Sequence, residues 1–250
     1  MSNKQLIKTS RDFVCIRTAT YEDKREAAFL KWAFLRSSAA DLRNFGFCVL
    51  SPDGKRKLRR SLRGPNFVYK NSTAMAADLK LIAKQFPRKT TKSESNLAVP
   101  RMKNVRLGIN VASCDGLPSV VVFGKDKREV DQLHSKLRGV IWDEALAGKF
   151  IYASTTKFDD LKIVVGATRK TGILVIEPDI YGTRGRLIKM VDASVSKQDL
   201  KRGLVDVANT FIRRSKSHGL HVRNGRRDGK IWKTEVAVPD RVRSRRRRKD

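Results

Sequence analysis

Gly172-Ile-Leu-Val-Ile-Glu-Pro-Asp-Ile-Tyr-Gly182 is the stretch on which the fold turns. Ile173 to Ile176 is a short run of apolar, mostly β-branched residues, so Gly172 to Glu177 reads as a strand covered on both faces. Pro178 to Gly182 is a turn signal. Arg186 to Val191 is then the answering strand of a hairpin. A second run of the same kind, Val120-Val-Val-Phe123, places a strand over Pro118 to Gly124. Between the two runs, Asp126 to Ala147 reads as helical, in two pieces around Gly139. Phe150 to Thr155 reads as a strand and Phe158 to Val165 as a short helix. After the hairpin, Ser196 to Arg213 reads as a helix. Ser196 is its cap, and Leu200, Leu204, Val207, Ala208 and Phe211 form its inner stripe.

The first half is less regular. Arg11 to Ala19 and Phe45 to Leu50 read as strands, with a turn at Ser51-Pro-Asp-Gly54 and Lys55 to Leu58 pairing back. Glu22 to Ser37 reads as a helix. So does Ser72 to Phe86, with Ser72 or Thr73 as cap and Met75, Leu79, Ile82, Ala83 and Phe86 on one face. Residues 87–104 are polar and basic and read as a linker, and Val105 to Ala112 is compatible with a strand. The halves share an order of elements. Phe13 to Asp23 matches Phe150 to Asp160, each a strand, a Thr-rich turn, an aromatic and two acids. Gly46 to Asp53 matches Gly172 to Asp179, each an apolar strand ending in Pro-Asp. Both matches fall in the same order, which implies a partial internal repeat.

The second half reads β-α-β-α-β-β-α, with a closing hairpin and a last helix on the sheet. This order resembles the thioredoxin-like fold, fully over 118–214 and partly over 11–86. The resemblance implies an α/β three-layer sandwich with a mixed sheet, preceded by a partial copy. The implied units are 11–86, the linker 87–104, a domain at 105–214 and a basic, disordered tail at 215–250. The family's chemistry does not follow. Where the family carries Cys-x-x-Cys after its first strand, the chain has Gly124-Lys-Asp-Lys127. Where the family has its cis-proline, the chain has Thr171 and Phe45. The first half also lacks the leading strand and helix. A start truncated from a longer ancestor, or another strand such as Val105 to Ala112, would account for that.

Composition points to a partner class. The 250-residue chain carries a net charge of +30, with 40% hydrophobic residues, enough for folded domains. Such a chain attracts polyanions: nucleic acid, an anionic membrane surface, an acidic polymer or an acidic protein. From Arg213 onward there are 15 Lys/Arg against 4 Asp/Glu, a net of +11. The expected nucleic-acid contacts are Arg226, Arg227, Lys230, Trp232, Lys233, Arg243, Arg245, Arg246, Arg247 and Arg248, with Trp232 or Tyr69 as stacking candidates. Lys55 to Lys70 adds seven Lys/Arg without an acid.

Candidate chemistry is sparse. Three cysteines at wide spacing form no disulfide framework, and with three histidines far from them they supply no zinc site. No cofactor is expected. Cys15 and Cys48 sit in apolar runs and read as buried thiols. Cys114, read as a loop residue, is the one candidate reactive thiol. Gly166 to Gly172 is not a phosphate loop, because five residues separate the glycines and no Lys-Ser/Thr follows. Asp159-Asp160 and Glu22-Asp23 read as helix-start acids rather than acid–base pairs. No apolar run approaches the ~20 residues of a membrane span. Met1 to Ser10 has no apolar leader core, so the chain as it stands reads cytoplasmic, or secreted or periplasmic if a leader has been lost. The leading expectation is a redox-inactive binding or scaffold protein whose tail contacts a polyanion, nucleic acid foremost. The alternatives are a thiol-dependent, oxidoreductase-related protein and a surface structural module.

Overall fold

The computed structural model describes residues 3–14, 16, 21–34, 46–87, 98–213, 217–232 and 234–236. The chain divides into two units, Met1–Thr90 with Lys233–Asp250, and Thr91–Trp232.

The first unit carries helices α1 (Lys4–Ser10), α2 (Lys24–Phe34) and α3 (Ser72–Gln85). Each begins where a short polar side chain takes up a helix N–H that has no partner within the helix. Asn3 accepts from the Leu6 N–H, and Asp23 Oδ1 accepts from the Arg25 and Glu26 N–H groups. Asn71 accepts from the Ala74 N–H at 2.8 Å, so the α3 cap is Asn71 rather than Ser72 or Thr73. Val49, Leu79 and Ile82 are buried together, with Phe13, Phe47 and Leu58 packed on them. The segment around Ser51–Gly54 does double back. It does so through single antiparallel bridges, Phe47 with Leu62 and Leu50 with Lys57, not through extended strands.

The strand expected from Arg11 is corrected over its described part. The N–H groups of Arg11, Asp12 and Phe13 donate to Lys8, Thr9 and Ser10 carbonyls, so the chain keeps turning after α1 and those donors are lost to any sheet. Cys15 and residues 17–20 lie outside the described residues. Among the described residues of this unit there is therefore no counterpart of the sheet that the internal repeat requires.

The second unit is mixed α/β. Its elements are α4 (Val105–Asp115), β1 (Ser119–Phe123), α5 (Lys127–Arg138), β2 (Ile151–Thr155), β3 (Val164–Val165), β4 (Gly172–Pro178), β5 (Gly185–Asp192), α6 (Lys197–Thr210) and α7 (His218–Arg227). The five strands lie in the order β2-β1-β4-β5-β3. β1 runs parallel to β2 and antiparallel to β4, β4 and β5 form the hairpin, and the two residues of β3 run parallel to β5. Every residue of β1 is buried. Alternation sends Val120, Val122, Ile173 and Val175 toward Leu133, Leu137, Leu200 and Leu204 of α5 and α6. Val121, Phe123, Leu174 and Ile176 face Val105 and Ile109 of α4 and Leu161.

Val105 to Ala112 is helical, not a strand. Asn104 caps it by accepting from the Leu107 N–H, and Val105, Ile109 and Ala112 share its buried face. Phe158–Leu161 is a single 3-10 turn followed by β3, not a helix through Val165. Residues 98–104 are no linker: Val99 is buried, Arg101 bridges Tyr152 in parallel, and the Met102 N–H donates to the Tyr152 carbonyl at 2.7 Å. Residues 88–97 lie outside the described residues.

Candidate nucleic-acid interface

Residues 217–232 are built onto the turn between β4 and β5. Gly182 adopts a positive φ of 67°, and a Cβ there would lie 2.7 Å from Asn110 Cα, so only glycine brings this turn down onto α4. Ser113 of α4 donates to the Asp179 carbonyl at 2.8 Å, and Asp179 Oδ1 accepts from the Thr183 N–H. The turn is thereby held from both sides, and Tyr181 is fixed at its tip.

Helix α7 rides on Tyr181. The Tyr181 hydroxyl donates to Asp228 Oδ2 at 2.6 Å, which raises the phenol's pKa and lowers that of the carboxyl. The ring lies 5.3 Å from the His221 ring, and a Cβ at position 225 would sit 3.4 Å from it. Lys230 Nζ lies 5.7 Å from the same ring. The Arg106 guanidinium, on α4, lies 4.0 Å over the Trp232 ring. Residues 217–232, expected to be disordered, thus include a docked helix. They hold Arg223, Arg226, Arg227 and Lys230 against one acid, Asp228. Arg223 and Arg226 are exposed, with no acidic partner among the described residues, while Arg227 Nε reaches Asp228 at 3.1 Å.

The structure therefore brings four of the expected contacts together, Arg226, Arg227, Lys230 and Trp232. One face of Trp232 is taken by Arg106, which leaves it a packing role as well as any stacking role. Lys233, Arg243, Arg245, Arg246, Arg247 and Arg248 lie outside the described residues. Tyr69 is half-buried: its hydroxyl donates to Asp78 Oδ2 at 2.7 Å, and its ring stands edge-on to Phe47 at 6.0 Å. Asp78 also takes a two-pronged contact from Arg59, which holds its carboxyl below the usual range. Tyr69 is a packing residue rather than a stacking platform. Tyr181 and Arg106 escaped sequence reasoning, since nothing in their spacing links them to the tail, and Arg223 counted there only as part of the tail's charge.

No family model, curated protein or solved structure matches this chain.

At the position where the thioredoxin-like resemblance would put a dithiol, the helix start is filled by its own side chains. Asp126 Oδ1 accepts from the Glu129 N–H. Glu129 in turn accepts from the Lys125 N–H at 2.8 Å and from the Thr171 hydroxyl at 2.6 Å. Thr171 and then Lys125 hold the Glu129 carboxyl below its ordinary pKa. Acids already occupy the electropositive end of α5, and no thiol stands there.

The thiols are elsewhere. Cys114 is exposed, and it lies in the last turn of α4 rather than in a loop. Cys48 is half-buried rather than buried, and its Sγ accepts from the Ser61 hydroxyl at 3.1 Å. Among the described residues no three His, Cys, Asp or Glu side chains gather as a metal-binding group. Among them, too, no helix is long and apolar enough to cross a membrane.

Proposed function

We propose that the chain is a redox-inactive, thioredoxin-like binding protein whose basic C-terminal segment contacts a polyanion, nucleic acid foremost. The observation that carries the reading is helix α7, anchored through Tyr181, on which Arg223 and Arg226 stand exposed with no acidic partner among the described residues. A held array of cations binds phosphates with less ordering cost than a loose one. Two further features support it. In the strand order β2-β1-β4-β5-β3 a parallel pair, β2 and β1, adjoins the antiparallel hairpin of β4 and β5, which is compatible with the resemblance, while β3 adds a short parallel edge beside β5. The Gly124–Lys127 loop offers a capped helix start in place of a dithiol.

The test is fluorescence anisotropy with a short duplex and the full chain at ~150 mM salt, where exposed charges are screened beyond ~8 Å. One variant carries Arg223→Gln, Arg226→Gln and Arg227→Gln. A second replaces Arg243 and Arg245 to Arg248 by Gln. Each should weaken binding whatever the sequence of the duplex. Unchanged affinity in both would refute the reading.

A further inference from the structure

The first unit holds an open cleft of about 440 Å3, within the range of small-ligand sites. Its apolar wall is Ala33, Phe34 and Leu58, and its cations are Lys57, Arg59 and Arg60. Among the described residues no acid lines it. Arg59 is neutralised by Asp78, which faces it from α3, so Lys57 and Arg60 are the cations left to attract an anion. Arg60 is exposed and has no acidic partner among the described residues, and Lys57 Nζ lies 5.1 Å over the Trp32 ring. Phe34 is held in place from behind: a Cβ at position 46 would lie 2.5 Å from its ring, so Gly46 is the residue that lets the ring seat there. Trp32 is 42% exposed, its ring tilted by 42° to that of Phe29 with centroids 5.6 Å apart.

We propose that this cleft is a seat for single-stranded nucleic acid, with one base against Phe34 and the flanking phosphates on Lys57 and Arg60. The proposal deepens the polyanion reading, on which it rests, by adding a second surface that tells single strands from duplexes. Two features favour this occupant. An aromatic wall beside cations free of acids is the chemistry that binds single strands without reading their sequence. A duplex keeps its bases stacked inside and offers the cleft only phosphates.

The probe is a short labelled oligothymidylate beside a duplex of equal length, titrated with the full chain over a range of salt. Lys57→Gln with Arg60→Gln should weaken single-strand binding about tenfold and leave duplex binding nearly unchanged. It should also lower the single-strand salt slope by about 1.4, at about 0.7 per neutralised phosphate. Phe34→Leu keeps an apolar side chain but loses the ring. It should weaken single-strand binding several-fold at an unchanged slope. Circular dichroism shows whether each variant remains folded. Because Phe34→Leu disturbs packing most, photocrosslinking of 4-thiothymidine strands to the unaltered chain gives an independent readout. Adducts are expected at Trp32, at Phe34 or within 57–61.

An unchanged ratio of single-strand to duplex affinity in the double variant would overturn the proposal, as would adducts confined to residues beyond 216. If the α7 variant loses duplex binding while the cleft variants change nothing, the polyanion reading survives and the cleft does not. If the cleft variants lose single strands while the C-terminal variants change nothing, the cleft stands alone. If the unaltered chain binds neither probe, both readings fall.

Discussion

Acidification should destabilise the second unit through His134. This residue is 5% exposed on the inner side of α5, and neither ring nitrogen has a hydrogen-bond partner among the described residues. Burial, reinforced by the positive charges of Arg101 and Arg138 and opposed by Asp131, lowers its pKa from 6.5 to about 4. The unfolded chain therefore binds a proton below pH 6.5 that the folded chain refuses until about pH 4. Stability is at its full value above pH 6.5 and falls as the pH drops, by about 1.4 kcal/mol per unit. Between pH 6.5 and 5 the loss should be about 2 kcal/mol, a sizeable part of a typical ~5–15 kcal/mol. Carboxyls such as Asp143 and Glu129 have folded-state pKa values below their ordinary 3.8 and 4.5, so their own losses begin lower and leave this window to histidine.

The assay is a urea titration read by pulsed hydrogen exchange of β1 and β4 peptides, which isolates this unit, at several values from pH 7.5 to 5. The control is His134→Leu, which removes the proton acceptor and two unsatisfied buried nitrogens and fills the site with an apolar side chain. That variant should be at least as stable as the parent at pH 7.5 and should lose most of the pH dependence. A parent whose stability stays flat to pH 5, or a variant with the parent's slope, would refute the reasoning.

Other predictions follow from packing and capping. Leu137 is fully buried between α5 and the sheet, so Leu137→Ala should cost about 2–5 kcal/mol in the same assay. Asn71→Ala should destabilise the first unit by about 1 kcal/mol, while Ser72→Ala leaves it nearly unchanged; equal losses would contradict the assigned cap. Maleimide labelling of the native chain should modify Cys114 at close to the rate of a free thiol and Cys48 more slowly, and a Cys48 that labels as fast as Cys114 would contradict its partial burial and its contact with Ser61.

The strands of the second unit were legible because Val120–Phe123 and Ile173–Ile176 are buried on both faces, and such strands announce themselves as unbroken apolar runs. Helix α6 was legible through its stripe and its cap at Ser196. Val105 to Ala112 misled because Val105, Leu107, Ile109 and Val111 alternate like a strand, while Val105, Ile109 and Ala112 fall equally on one helical face. The decisive sign was Asn104, a cap residue just before the run. In the first unit the apolar run Phe13-Val-Cys-Ile16 suggested a strand from Arg11, but α1 precedes it and the turns after α1 consume the backbone donors of Arg11, Asp12 and Phe13.

The site was legible as composition and not as geometry. Charge density marked the C-terminal segment. Its docking was not legible, because it runs through Tyr181 meeting Asp228 and Arg106 meeting Trp232, pairs far apart in the chain. The cleft of the first unit lay hidden for the same reason. Lys57 and Arg60 stood out only as part of a basic stretch, and only folding brings them beside Phe34.

The measurement that bears most directly on the central claim is the salt dependence of duplex binding by the full chain. Plotted as log affinity against log salt, the account expects a steep negative slope. Replacing Arg223, Arg226 and Arg227 by Gln should reduce it by about 0.9 for each phosphate no longer neutralised. A shallow slope, or one that the substitutions leave unchanged, would contradict it.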